Sequence, residues 1–279
     1  MKSRIITAIV ALPILFGSII LPLYVAEAIW FFAAIAIAAI AAGLFEFYAL
    51  TKKMELKADA SIGFLGASGF LAAFVFDAPS KAPDLLFITI FVFLGAILIS
   101  QAFRFRQDFT KLLAGASVTF LGVMYVVFLG GFLISIATGF TGSTGLSSKL
   151  LLFFFIVVFA SDIGAYFTGR AFGKHKLAPS ISPGKTWEGT IGGVAFACGF
   201  AALSTYIFFP ELKIAVSIPL GGIMAIVGGL GDLAESAMKR GAKTKDAANI
   251  LPGHGGILDR LDSLLLNAPL LYYFARFYF

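Results

Sequence analysis

The chain has 279 residues, of which 59% are hydrophobic and 13% charged, with 32 Phe and a formal net charge of +6. Ordinary globular chains are about 25% charged, so this composition excludes a water-soluble domain and points to a protein embedded in a membrane. The positive balance calls for no nucleic acid, and the single cysteine, Cys198 in the apolar run "VAFACGF", excludes an intrachain disulfide and reads as packing.

Crossing ~30 Å of hydrocarbon takes about 17–25 apolar residues. Nine segments of that kind are expected, at 5–25, 28–50, 60–76, 85–102, 112–137, 150–167, 190–209, 215–233 and 257–274. The runs lack period-2 alternation, which excludes a barrel of strands. The expected fold is therefore all-α, a polytopic integral membrane protein with short connections. The first run follows a basic start, and Ala26-Glu27-Ala28 looks like a signal-peptidase site. The run is longer than a signal h-region, so an uncleaved first span is expected. In the second, Glu46 lies near the basic end and can reach the interface, while "AAIAIAAIAAG" suits close helix contact in lipid.

Nine spans put alternate connections on opposite sides. One side collects 17 Lys and Arg, from Lys2 to Arg260; the other collects Lys81, Lys149, Lys213 and Arg276. By the positive-inside rule the N-terminus is expected in the cytoplasm and the C-terminus outside, in a cell's inner membrane. The loops at 169–188 and 234–256 then share the cytoplasmic face. Chemistry concentrates in residues 150–279, which are expected to form the catalytic region. Residues 1–149 are expected to be structural, with lipid or oligomer contacts.

Five acids sit at one membrane depth in the last third: Asp162, Asp232, Glu235, Asp259 and Asp262. A charge at mid-membrane costs roughly 2.5–3.5 kcal/mol on insertion scales, so such residues are usually functional or paired. Asp259 and Asp262 are i,i+3 and share a helix face. Asp232, Ser236, Lys239 and Lys243 follow helical spacing down another face. Oxygen ligands without a His/Cys cluster suit Mg²⁺, clustered Lys and Arg suit phosphate, and Pro252-Gly253-His254-Gly255-Gly256 can form an anion nest before a helix. Together they describe a polyphosphate site. Pro183-Gly184-Lys185-Thr186 resembles the end of a P-loop, but Pro179 stands where that motif needs Gly and no strand is expected before it.

Two stretches resemble one family. Ser236-Ala-Met-Lys239-Arg240, then Lys245-Asp246, then Pro252-x-His254-Gly255-Gly256-x-x-Asp259-Arg260-x-Asp262 is similar to the signature of the phosphatidate cytidylyltransferases, or CDP-diacylglycerol synthases. Upstream, Ser161-Asp162-x-Gly164-Ala165-Tyr166-Phe167, Gly169-Arg170, Phe172-Gly173-Lys174 and Ile181-Ser182-Pro183-x-Lys185-Thr186-x-Glu188-Gly189 are similar as well. Ile163 and Gly184 depart from the pattern, where Thr and Lys are usual. The first half resembles the family only in hydrophobic pattern.

The resemblance implies Mg²⁺-dependent reaction of CTP with phosphatidic acid to CDP-diacylglycerol and pyrophosphate, in a homodimer. It implies that Asp232 and Asp259 bind metal, with Asp262, Asp246 or Asp162 assisting. Lys239, Arg240 and Lys245 would hold phosphates, Arg260 would orient a carboxylate or the lipid phosphate, and His254 would serve as a hydrogen-bonding residue of the turn. Arg170, Lys174, Ser182, Lys185, Thr186, Glu188, Ser236, Gly255 and Gly256 complete the expected substrate contacts. Other readings are a CTP-dependent polyprenol kinase and an organic-anion transporter. A CDP-alcohol phosphotransferase is rejected, because its motif needs an Asp-Gly pair and none occurs.

Overall fold

The computed structural model describes residues 2–80, 82–104, 109–140, 145–248 and 255–279, with backbone only for 2–8, 79, 80 and 109. Its helices are α1 (Lys2–Ile20), α2 (Ile29–Lys53), α3 (Ala60–Ser80), α4 (Asp84–Arg104), α5 (Leu112–Gly122), α6 (Leu129–Gly139), α7 (Leu146–Phe172), α8 (Trp187–Ile207), α9 (Ile214–Gly241), α10 (Leu258–Leu265) and α11 (Asn267–Tyr278). A π-turn at Val123–Phe128 joins α5 to α6 in one rod. A two-stranded antiparallel hairpin, β1 (Lys176–Ala178) and β2 (Ser182–Thr186), links α7 to α8.

Seven helices among the described residues are long and apolar enough to cross a membrane, and Ile9–Leu23 is a shorter apolar helix. The ninth expected span, 257–274, is not among them: its residues form two short helices, α10 and α11, that meet at Leu266. Pro269 has no N–H to give the carbonyl four residues back, so the ladder is interrupted there. Asn267 covers the break, its Nδ2 donating to Ser263 O at 2.8 Å and Met224 O at 3.0 Å.

Two expected boundaries move. The sixth span runs on from Phe167 to Phe172, which puts Arg170 on a helix. The eighth runs on from Leu233 to Gly241, so Glu235, Ser236, Lys239 and Arg240 stand on the helix and the loop begins later than 234. Lys243 lies beyond the end at a φ of 53°, off the face that carries Asp232, Ser236 and Lys239.

Small residues set how closely these helices approach. On α8, a Cβ at Gly189 would meet Ala165 O at 2.9 Å, and one at Gly193 would meet Ser161 O at 3.0 Å. The stripe seats α8 on α7 by backbone packing, the way helices associate in lipid. On α9, a Cβ at Gly231 would come within 2.4 Å of Asp262 O, so only glycine lets α10 lie this near. Phe132 and Tyr272 pack with ring centroids 5.3 Å apart and planes tilted by 48°, and Val126 and Leu261 both lie over Gly43. One core thus joins the first 149 residues to the rest. The ends of α2, α7 and α9, the starts of α8 and α10, and the hairpin gather at one end of the bundle. At the other end Lys149 pairs with Glu211 at 2.5 Å.

Candidate active site

The site grows from the last turns of α9. Helical spacing puts Asp232, Glu235, Ser236 and Lys239 within reach of one another. Ser236 Oγ donates to Asp232 Oδ1 at 3.2 Å. Asp232 Oδ2 takes an ion pair from Lys185 of β2 at 2.8 Å, and Lys185 also donates to Gly229 O at 3.2 Å. Lys239 pairs with Glu235 one turn back and with Asp259 of α10 at 2.7 Å.

Carboxylate oxygens of Asp232, Glu235 and Asp262 all lie within 4.8 Å of one another. Glu235 is 0% exposed, and its Oε1 has no hydrogen-bond partner among the described residues. A buried carboxylate oxygen without a donor is costly. Three hard oxygen donors converging there suit a small divalent cation such as Mg²⁺.

Asp259 is occupied otherwise. Besides Lys239 it accepts from Gly256 N at 2.7 Å and Ala247 N at 3.1 Å, so it ties the chain after α9 to the start of α10. It shares the Lys239 ammonium with Glu235. Gly255 turns the chain at a φ of +77°, where a Cβ would also press on Asp259 Oδ2 at 2.9 Å. The structure therefore brings Asp232 together with Glu235 and Asp262, and sets Asp259 apart from that group. Asp246 is exposed beside Gly255, and Lys245 is exposed next to it. His254 lies outside the described residues.

The hairpin carries the rest. Thr186 caps α8, accepting from Gly189 N at 3.1 Å. Glu188 accepts from the amides of Lys174 and His175 at 3.2 Å and pairs with His175 Nδ1 at 2.6 Å, which locks the turn after α7. Ser182 is half-buried in β2. Arg240 Nε donates to Ile181 O at 3.0 Å, so this cation braces the hairpin against α9. Lys174 and Arg170 are exposed, with Arg170 donating to Tyr166 Oη at 3.1 Å. Asp162 opens to the surface of α7, close enough to interact electrostatically with Asp232, Lys185 and Arg260. Arg260 is exposed at the start of α10.

Two residues of the first half reach the site unforeseen. Glu46 of α2 accepts from the amides of Ile257 and Leu258. Tyr125, in the π-turn, places a buried hydroxyl near the charges of Glu235, Asp262 and Asp232, with no hydrogen-bond partner among the described residues. π-turns inside helices recur at functional sites.

A bundle end with converging acids, a ring of cations and a short hairpin suits a phosphate-rich substrate at a membrane surface. The profile of the cytidylyltransferase family matches residues 2–278. The chain belongs to the cytidylyltransferase family. As a cytidylyltransferase it is a nucleotidyl-transferring enzyme, carried here on a mainly helical membrane bundle. It is similar to a phosphatidate cytidylyltransferase of Staphylococcus haemolyticus, 34% identical over 284 residues and 97% of each chain. A Bacillus subtilis protein of that name is 33% identical over 235 residues, 82% of this chain and 83% of its own. One from Haemophilus influenzae is 48% identical over 134 residues, so that match spans about half of either protein, 47% of this chain and 46% of the relative.

Proposed function

We propose that this cytidylyltransferase makes CDP-diacylglycerol and pyrophosphate from CTP and phosphatidic acid. The observation that carries the reading is the near-full-length match to a protein named for that activity. The gathering of Asp232, Glu235 and Asp262 at one bundle end supports it. One substrate is anchored in lipid and the other is water-soluble, so they meet at an interface.

Asp232, Glu235 and Asp262 would hold Mg²⁺, and Asp259 would not. Bound there, Mg²⁺ supplies neutralisation of phosphate charge. The chain's own residues do the positioning. Lys185 sits against Asp232 on the carboxylate group, and Arg170, Lys174, Lys245 and Arg260 are exposed at the same bundle end as phosphate-binding cations. Tyr125 offers a hydroxyl donor near the same carboxylates. An oxygen of phosphatidate attacks the α-phosphorus of CTP, the bond to the β-phosphate breaks, and pyrophosphate leaves. That oxygen is already anionic, so no side chain has to remove a proton, and orientation supplies most of the rate. His254 and Ser236 are then not covalent relays; Ser236 Oγ is spent on Asp232.

Labelled CTP and phosphatidate should give CDP-diacylglycerol with Mg²⁺ and none with EDTA. Initial-rate plots should intersect, and chiral thio-substituted CTP should invert at the α-phosphorus. Net retention would overturn direct transfer, and phosphorylation of a polyprenol in place of cytidylyl transfer would overturn the substrate assignment.

The positive side of the bundle is proposed to face the cytoplasm, with the first 149 residues as framework and the enzyme as a homodimer. In a Cys198→Ala background, single cysteines at the exposed positions 176 and 243 should label only from inside. Labelling from outside intact cells would reverse the orientation.

A further inference from the structure

Glu46 is the single charged residue between Glu27 and Lys52, and it is 0% exposed. A lone buried carboxylate needs donors. It finds them 211 and 212 residues along the chain: Oε1 accepts from Ile257 N at 2.9 Å, Oε2 from Leu258 N at 2.7 Å. These are the opening amides of α10. The first N–H groups of a helix have no partner within it, and the positive helix start favours an anion. The cap position, Ile257, brings no side-chain hydrogen bond of its own. Asp259 in the first turn takes Gly256 N, so the acceptors for the next two amides, Ile257 N and Leu258 N, come from α2.

The contact is tight on both sides. A Cβ at Gly256 would fall 2.4 Å from Glu46 Oε2. One turn earlier on α2, Gly43 leaves room for Leu261, whose Cδ1 would meet a Cβ at 3.1 Å. Charge and shape together fix both the depth and the rotation of α10. Its cargo is Asp259, bonded to Lys239, and Asp262, in the carboxylate group. Slipping a helix by one residue turns its side chains by about 100°, which would carry Asp262 out of that group.

We propose that Glu46 is a positioning residue for nucleotidyl transfer: it sets the register of α10 and so places Asp262 beside Asp232 and Glu235, and Asp259 against Lys239. The inference rests on the reading of those three carboxylates as the cation site. Nothing in it requires Glu46 to touch substrate.

The test compares Glu46→Gln and Gly256→Ala with wild type in detergent micelles, singly and together. Glu46→Gln keeps the shape but turns one acceptor into a donor facing an N–H group. Gly256→Ala breaks the same contact from the other partner. Each should lower kcat about 10–100-fold with KM for CTP within about threefold, since a misplacement of about 1 Å costs on the order of 10²-fold. Hydrogen exchange should quicken in the peptide covering 255–266 and stay at the wild-type rate in α3, α4 and α8. The double variant should be no worse than the poorer single one, because both changes remove one interaction. Uniformly faster exchange, a kcat within twofold of wild type, or fully additive losses would overturn the inference. So would a Glu46→Gln protein that does not fold beside a folded, fully active Gly256→Ala. Half-saturating Mg²⁺ should also rise in both variants. If wild-type turnover does not respond to divalent cations at all, the cation reading fails, while exchange and kcat still decide the role of Glu46.

Discussion

Asp232→Asn is expected to lower turnover on the order of 10³-fold while the protein folds and extracts from membranes as wild type, a loss typical of removing one charge-stabilising group from a reacting centre. The two halves of that expectation have separate causes. Asp232 is partly exposed, with side-chain exposure of 34%, and its partner Lys185 is 23% exposed. Neither ion is fully buried, so breaking the pair is expected to cost far less than breaking a buried one, about 0–1 kcal/mol of stability. The chemistry loses an anionic oxygen from a group of three. Asp262→Asn should match it closely. Asp259→Asn separates the present geometry from a metal pair of Asp232 and Asp259. It should lower the thermal midpoint, because its oxygens hold Lys239 and the amides of Ala247 and Gly256. Its half-saturating Mg²⁺ should move less than that of Asp232→Asn. The measurement is turnover against Mg²⁺ concentration beside a melting curve for each variant. A larger Mg²⁺ shift for Asp259→Asn than for Asp262→Asn would return Asp259 to the metal site.

The spans were legible because hydrocarbon thickness imposes a length and a composition that local sequence must satisfy. Their ends were less so. The helical spacing of Asp232, Ser236 and Lys239 is legible, but rising polarity ends the expected span too early, at 233; α9 carries Glu235 and Lys239 because each meets a partner on its own face or on a facing element. The hairpin escaped notice for a different reason. Ser182-Pro-Gly-Lys-Thr has neither alternation nor β-branched bulk before Thr186, and Thr186 capping α8, with Glu188 bonded to the turn, supports the local shape. The break at Leu266 was written in Pro269, but a proline in an apolar run also reads as an ordinary kink. Glu46 left one clue, an isolated acid in grease, and its partners lie more than two hundred residues away where no periodicity reaches. Tyr125 left none, since an apolar span with one tyrosine does not announce a π-turn.

The roles of the acids divided along the same line. The resemblance ranks Asp232 and Asp259 as the metal ligands and gives Asp262 an assisting part. Hydrogen bonding supports the different order proposed above: an acid already holding two amides and an ammonium has little left for a cation, whereas Glu235 has an oxygen with no donor among the described residues. Arg240 and Lys239 separate in the same way. They are neighbours in sequence, project about 100° apart on a helix, and end on different elements, one on the hairpin and one between two acids.

Lys239→Met should be the most damaging change on the cationic side, and it should act on fold and turnover at once. The Lys239 side chain is 12% exposed, between Glu235 at 0% and Asp259 at 6%. Methionine keeps the bulk and removes the charge. Two buried carboxylates are then left without their counter-ion, and breaking a buried pair in this way costs about 3–5 kcal/mol. The melting midpoint in detergent should fall clearly, and turnover by on the order of 10²–10³-fold. A second substitution separates the two effects. Glu235→Gln added to Lys239→Met removes one of the stranded charges, so the midpoint should recover part of the loss. Turnover should not recover, because the double variant lacks both a carboxylate of the proposed cation group and the ammonium that holds Asp259 and, through it, the start of α10. Recovery of midpoint and turnover together would reduce Lys239 to a counter-ion for Glu235 and remove Glu235 from the catalytic group.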